Sequence, residues 1–178
     1  MGPNHPRARF NSPATVELLI QANEPIKKAA FILGREVPSH HYTLSLLQRK
    51  YHIARKAKTI SAVGVLELNR KEVRGGTGWT VQMALDQGKN VFVFGHMTQT
   101  WFHADTFYDV DPATNLLKLE TRFRPWGKLP TLDQSSAVIG LRIVGEKTQE
   151  EVKNLFHRTF CSPENIEEVR KELEELHL

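Results

Sequence analysis

Cysteine is almost absent from this chain. Cys161 is the only one in 178 residues, so no disulfide forms within it. That composition fits a reducing compartment, and the expected location is the cytoplasm. Long apolar runs are missing too. None approaches the roughly 20 residues that cross a bilayer, so no membrane partner is expected. Residues 1–13 hold three prolines and two arginines but no apolar stretch of the kind a secretory leader needs. They read as a disordered arm or a cloning remnant ahead of a single domain over residues 14–178. Several catalytic signatures are also absent. There is no Gly-Lys-Ser/Thr ending of a P-loop, no six-residue dinucleotide fingerprint, and no nucleophile elbow. Nucleotide triphosphate hydrolysis and hydride transfer are both disfavoured.

What is present is ordinary in bulk and specific in one place. Apolar residues make up 40% and charged residues 25%, as in typical globular proteins. Net charge is +4 with a pI near 9.3. The densest basic cluster is Arg49, Lys50, Arg55, Lys56 and Lys58, interleaved with apolar residues on one predicted helix. It reads as a solvated face or as a means of gathering an anionic ligand.

The specific place is Glu72-Val73-Arg74-Gly75-Gly76-Thr77-Gly78-Trp79-Thr80-Val81-Gln82-Met83-Ala84. The apolar run Ile60–Leu66 precedes it and predicts a buried strand. Val81, Met83, Ala84 and Leu85 predict a helix that ends near Gly88. Val91–Phe94 predicts the next strand. Strand, glycine turn, helix and strand make one parallel crossover. Glycines at such a turn let a ligand approach the backbone, and the first N–H groups of the helix attract an anion, most often phosphate. The residues expected to hold the ligand here are Gly75, Gly76, Thr77, Gly78, Trp79 and Gln82. Thr77 also reads as a helix cap, and Trp79 as core packing.

Elsewhere the spacing predicts helices over Pro25–Leu33, stopped by Gly34, and over Leu44–Lys56, with Leu44, Leu47, Tyr51 and Ala54 on one face. Thr15–Ala22 reads either as a strand or as a helix. Gly95–Pro130 is the least regular part, with one short strand over Leu116–Phe123. Ala137–Val144 predicts a further apolar strand. Helices are expected from Thr148 and from Ser162. The fold class is α/β, Rossmann-like, with a mostly parallel sheet flanked by helices. His40, His41 and His52 lack the convergent third or fourth ligand a metal needs, so no metal site is assigned. No cofactor is assigned either.

The blocks Leu46–His52, Ile60–Gly64, Gly75–Ala84 and Lys89–Phe94 resemble the YpsA-like branch of the SLOG superfamily. Weaker similarity runs through Ser136–Arg142 and Phe156–Phe160, so about two-thirds of the chain is covered. The Gly-Gly-Thr-Gly-Trp block is its specific part. The superfamily also contains DprA and the cytokinin-activating LOG enzymes. The resemblance implies a nucleotide or nucleotide-derived ligand over the strand ends, and a homodimer. It adds Gln48, Arg49 and Arg142 as ligand-binding residues, since the family places the helix of Gln48 beside the pocket.

Two departures from the family pattern stand out. No Ser-Gly-Gly-type turn precedes Leu33, so the other half of the pocket is absent, diverged, or supplied by a partner subunit. The position of the LOG glutamate holds Gln82, which does not exchange protons as a carboxylate does. Ligand binding, as in a sensor, is therefore the leading expectation. An N-glycosidic hydrolase or transferase is the alternative, and it needs a carboxylate from elsewhere: Asp86, Asp105 or Glu67. Single-stranded DNA binding comes third, because the aromatic residues are not interleaved with Lys and Arg.

Overall fold

The computed structural model describes residues 13–69, 71–130, 135–140, 154 and 157. The described elements run α1 (Pro13–Gln21), α2 (Asn23–Ile32), α3 (His41–Lys56), β1 (Thr59–Gly64), α4 (Gly75–Leu85), β2 (Asn90–Gly95), β3 (Thr100–Val110), β4 (Leu117–Pro125) and β5 (Ser136–Ile139). Of the helix expected from Thr148 only Asn154 and His157 are described, and both are helical; the expected helix at Ser162 and the part of the last strand beyond Gly140 lie outside the described residues. The segment left open between strand and helix is α1.

The fold is α/β, with one five-stranded sheet in the order β4-β3-β2-β1-β5. β1 pairs in parallel with β2 and β5, while β2–β3 and β3–β4 are antiparallel. The sheet is therefore mixed, which corrects the expectation of a mostly parallel one. The reason lies in Gly95–Pro130. That stretch is a long hairpin, and it returns through a turn in which Asn115 has φ +54° and donates its N–H to the Asp111 carbonyl. β3 pairs with β2 only over Thr100–His103 and then continues with β4 alone as far as Val110. Residues beyond Ala104 thus form a two-stranded ribbon past the edge of β2. Its side chains Tyr108, Leu117 and Leu119 are exposed.

The strands alternate between two buried clusters, as the period of two requires. Ile60 and Ala62 of β1, Val91 and Val93 of β2, Phe102 of β3 and Phe123 of β4 meet Val81 and Ala84 of α4 and Ala54 of α3. Val63, Phe92, Phe94 and Trp101 form the second cluster. α2 and α3 pack on α4 through a third, in which Ile26, Ala29 and Leu47 surround Trp79 and Met83. α4 is therefore covered on nearly all sides; Thr77 to Ala84 are buried without a break. Its lack of an amphipathic stripe follows from that position.

Candidate functional site

The strand β1 ends at Gly64 and β2 at Gly95, and the His96 N–H donates to the Gly64 carbonyl at 2.9 Å. The first turn of α4 lies against these ends. Thr77 Oγ1 donates to the Gly140 carbonyl, just past β5, at 3.3 Å. A Cβ at Gly64 would come within 2.8 Å of the Val73 side chain. Three glycines thus close the carboxyl ends of the parallel strands, where ligands bind in open α/β sheets.

The turn has the conformation its glycines allow. Arg74 is extended at the N-cap (φ −67°, ψ 156°) and its side chain makes no capping hydrogen bond. Gly75 then takes φ +64°, a left-handed conformation that a side chain would strain. The opening N–H groups of a helix have no partners within it, and no side chain at the N-cap serves them here. Val73 and Leu66 form an isolated antiparallel bridge behind the turn, and Arg74 N–H donates to Val65 at 2.8 Å. The loop is therefore held by backbone bonds to Val65 and Leu66, and the Arg74 side chain does not cap the helix.

Two cations border this first turn. Arg35, just after α2, donates to the Gly75 carbonyl at 2.9 Å and to the Val73 carbonyl at 3.1 Å. Lys50 of α3 donates to the Gly76 carbonyl at 3.0 Å. Arg35 is also paired with Glu72 at 3.6 Å, so Lys50 is the one of the two that adds to the positive potential of the helix dipole. Arg74 is tied to Glu67 through two hydrogen bonds. The Arg74 hydrogen bond draws the Glu67 carboxyl below its ordinary range, and the Glu67 carboxylate raises the Arg74 guanidinium.

The residues expected from sequence distribute unevenly about this turn. Gly75, Gly76, Thr77 and Gly78 form it. Trp79 is buried among α2 and α3 side chains. Gln82 lies farther along α4 and donates to Asp86 at 3.1 Å. Gln48 is buried and donates to Asn23 at 2.9 Å, joining α3 to α2. Arg49 is exposed on α3. Arg142 lies outside the described residues.

Comparison with family models, curated proteins and solved structures yields no match.

Arg35 was not singled out from the sequence, and Lys50 entered only as one member of the basic cluster that could gather an anion. Lys50 carried a usable signal: it follows Leu47 by three positions and so borders the buried stripe, whereas Arg49 is turned away from it. Arg35 carried none, because it lies just past a helix stop. The carboxylates named for bond cleavage are poorly placed. Asp86 is 11 residues along α4 from Gly75, about 16 Å at the helical rise. Asp105 pairs with Arg124 at 2.8 Å on the hairpin. Glu67 precedes the turn, and Arg74 occupies both its oxygens. His52 donates to the Leu18 carbonyl at 2.6 Å. Among the described residues no three His, Cys, Asp or Glu side chains gather as metal ligands, and no helix is long and apolar enough to cross a membrane.

Proposed function

We propose that this protein binds a nucleotide or nucleotide-derived ligand, with a phosphate on the Gly75–Gly78 turn, and that it acts as a sensor. The observation that carries this reading is the start of α4, without a side-chain cap from Arg74, at the carboxyl ends of β1 and β2, with Lys50 on its first turn. The first N–H groups of the helix, its dipole and the Lys50 ammonium near its first turn favour an anion there. The parallel half of the sheet, β5-β1-β2, serves as the Rossmann-like part of a SLOG-type domain, working as a cytoplasmic homodimer. Binding without turnover is supported by Gln82 standing where the LOG pattern has a glutamate, and by the distance or pairing of the other carboxylates.

The test is a thermal-shift screen of the full chain against AMP, ADP, ADP-ribose and a cyclic nucleotide. Each positive is then incubated and assayed for released base. A ligand that binds only the folded state stabilises it by an amount that grows with the logarithm of one plus its concentration over its dissociation constant, and so raises the melting temperature. A shift without product is the expected result. Release of base would assign the hydrolase, and no shift with any phosphate would remove the proposal.

A further inference from the structure

On the hairpin side the sheet ends, among the described residues, at β4. The Asp111 N–H donates to the Leu116 carbonyl at 2.9 Å and the Trp126 N–H to the Trp101 carbonyl at 2.8 Å, both in the register of the β3–β4 ladder. Hydrogen-bonded and non-hydrogen-bonded pairs alternate in an antiparallel ladder. Lys118, Glu120, Arg122 and Arg124 therefore direct their backbone groups to β3. Leu117, Leu119 and Thr121 turn theirs outward, to the edge. Such an edge is a template for a further strand.

The side chains of the same stretch are apolar and exposed. Phe123 and its partner Ala104 face the α4 side of the sheet. By the period of two, the pairs Tyr108–Leu119 and Val110–Leu117 continue that face outward past the core. Leu117 is 72% exposed and Leu119 57%, so the fold leaves this end of the face to solvent.

Charge selects the occupant. β4 can pair antiparallel with a second copy of itself about a two-fold axis through one of its residues. With the axis at Leu119, Leu119 meets Leu119, Leu117 meets Thr121, and Lys118 meets Glu120 twice. The outward N–H and C=O groups of Leu117, Leu119 and Thr121 then all find partners. Lys118 and Glu120 fall in the non-hydrogen-bonded positions, where opposed side chains are closest. One residue either way, the axis sets Lys118 against Lys118 or Glu120 against Glu120. At Thr121 it sets Lys118 against Arg124. Of the axes along β4, only that at Leu119 pairs opposite charges without also opposing like ones. Within one copy Glu120 is already held by Lys71 at 2.8 Å and by Lys118 at 3.2 Å; pairing adds the Lys118 of the second copy on its open side.

We infer that the chain forms a closed dimer by pairing β4 with β4 about Leu119, which joins the two sheets into one. The pairing consumes the β4 edge of both copies, so it stops at two. It gives the homodimer of the proposed function its surface. It does not involve the glycine turn, so its failure leaves phosphate binding there untouched, and the converse holds.

The experiment is sedimentation of the full chain over a range of concentrations, where a monomer–dimer equilibrium is expected. Lys118→Glu and Glu120→Lys each set like charges across the axis and should weaken the dimer roughly tenfold. Mixed one to one, the two variants restore both opposite pairs and should form a heterodimer at the parent's affinity. Hydrogen exchange supplies a second reading. The Leu119 and Thr121 amides should gain protection as the parent dimerises, while those of Lys118 and Glu120, already bonded to β3, should not change. Melting curves in dilute solution check that each variant folds. Leu119→Arg, at an exposed position, sets two cations together on the axis and should also lose the dimer, whatever the charge variants do to folding. A parent that stays monomeric at millimolar concentration, a dimer that survives Leu119→Arg, or folded single variants whose mixture stays monomeric would each overturn this pairing.

Discussion

Gly78 is pressed against the backbone of Val73: a Cβ at Gly78 would overlap the Val73 carbonyl oxygen. The neighbouring glycines are there for other reasons. Gly75 has open space around it but a φ of +64°, and a Cβ on Gly76 would meet only the Lys50 Nζ at 3.0 Å. The three positions therefore separate into close approach, backbone conformation, and an open face.

The three alanine substitutions should rank in that order. Gly78→Ala forces the α4 start off Val73 and should cost about 2–3 kcal/mol, as overpacking does. Gly75→Ala should cost about 1–2 kcal/mol for its left-handed backbone. Gly76→Ala should stay within about 1 kcal/mol of the parent, since Lys50 can move and alanine favours the helix. Urea unfolding of the three variants measures the order; equal losses would mean that the turn is not held as described.

Arg35 and Lys50 should differ in what they support. Arg35 joins two carbonyls behind the turn, so Arg35→Ala should cost about 1–2 kcal/mol of stability. Lys50→Ala should leave stability nearly unchanged and weaken a phosphate ligand several-fold. Denaturation and ligand titration of the two variants, side by side, check the division.

Phe123 tests whether the hairpin belongs to the core. It is fully buried against the α4 side of the sheet, and Phe123→Ala should cost about 3–5 kcal/mol. Leu119, four residues earlier on the exposed ribbon, should cost less than about 1 kcal/mol when changed to alanine. A small loss at Phe123 would detach the hairpin from the folding unit.

The contrast between these two residues also shows why the hairpin was hard to read. Past Ala104 the ribbon leaves β2 behind, and its two faces are both largely exposed, so burial imposes no clear alternation on β3. Its sequence, Thr-Trp-Phe-His-Ala-Asp-Thr-Phe-Tyr-Asp-Val, mixes aromatic and acidic residues in a way that resembles a polar loop. The crossover β1–α4–β2 was legible for the opposite reason: Ile60–Gly64 and Val91–Gly95 are buried on both faces, and glycines mark the change of direction. The glycine turn itself was visible, while its cations depended on helix rotation and on a chain reversal at Gly34.

Asp86 should leave a signature in the pH dependence of stability. Its folded pKa is raised, chiefly by burial. Below the ordinary carboxylate range both folded and unfolded chains hold the proton, and the group adds no penalty. As pH rises, the unfolded chain releases its proton first, and the folded state loses stability until pH passes the raised value. Asp86→Asn does not titrate, so its stability relative to the parent should be higher near pH 7 than near pH 3. Urea midpoints at about these two pH values measure the difference; an advantage that grows toward low pH would contradict the burial of this carboxyl.

The most direct measurement is the melting temperature of the parent and of Gly76→Asp with and without ADP-ribose and ADP. The aspartate places a negative charge on the open face of the first turn of α4, beside Lys50, where the phosphate is proposed to sit. Stabilisation of the parent by at least one of these ligands, and none in Gly76→Asp, is the expected result. Equal stabilisation of both proteins would place the ligand elsewhere, and no stabilisation of the parent by either would contradict phosphate binding at Gly75–Gly78.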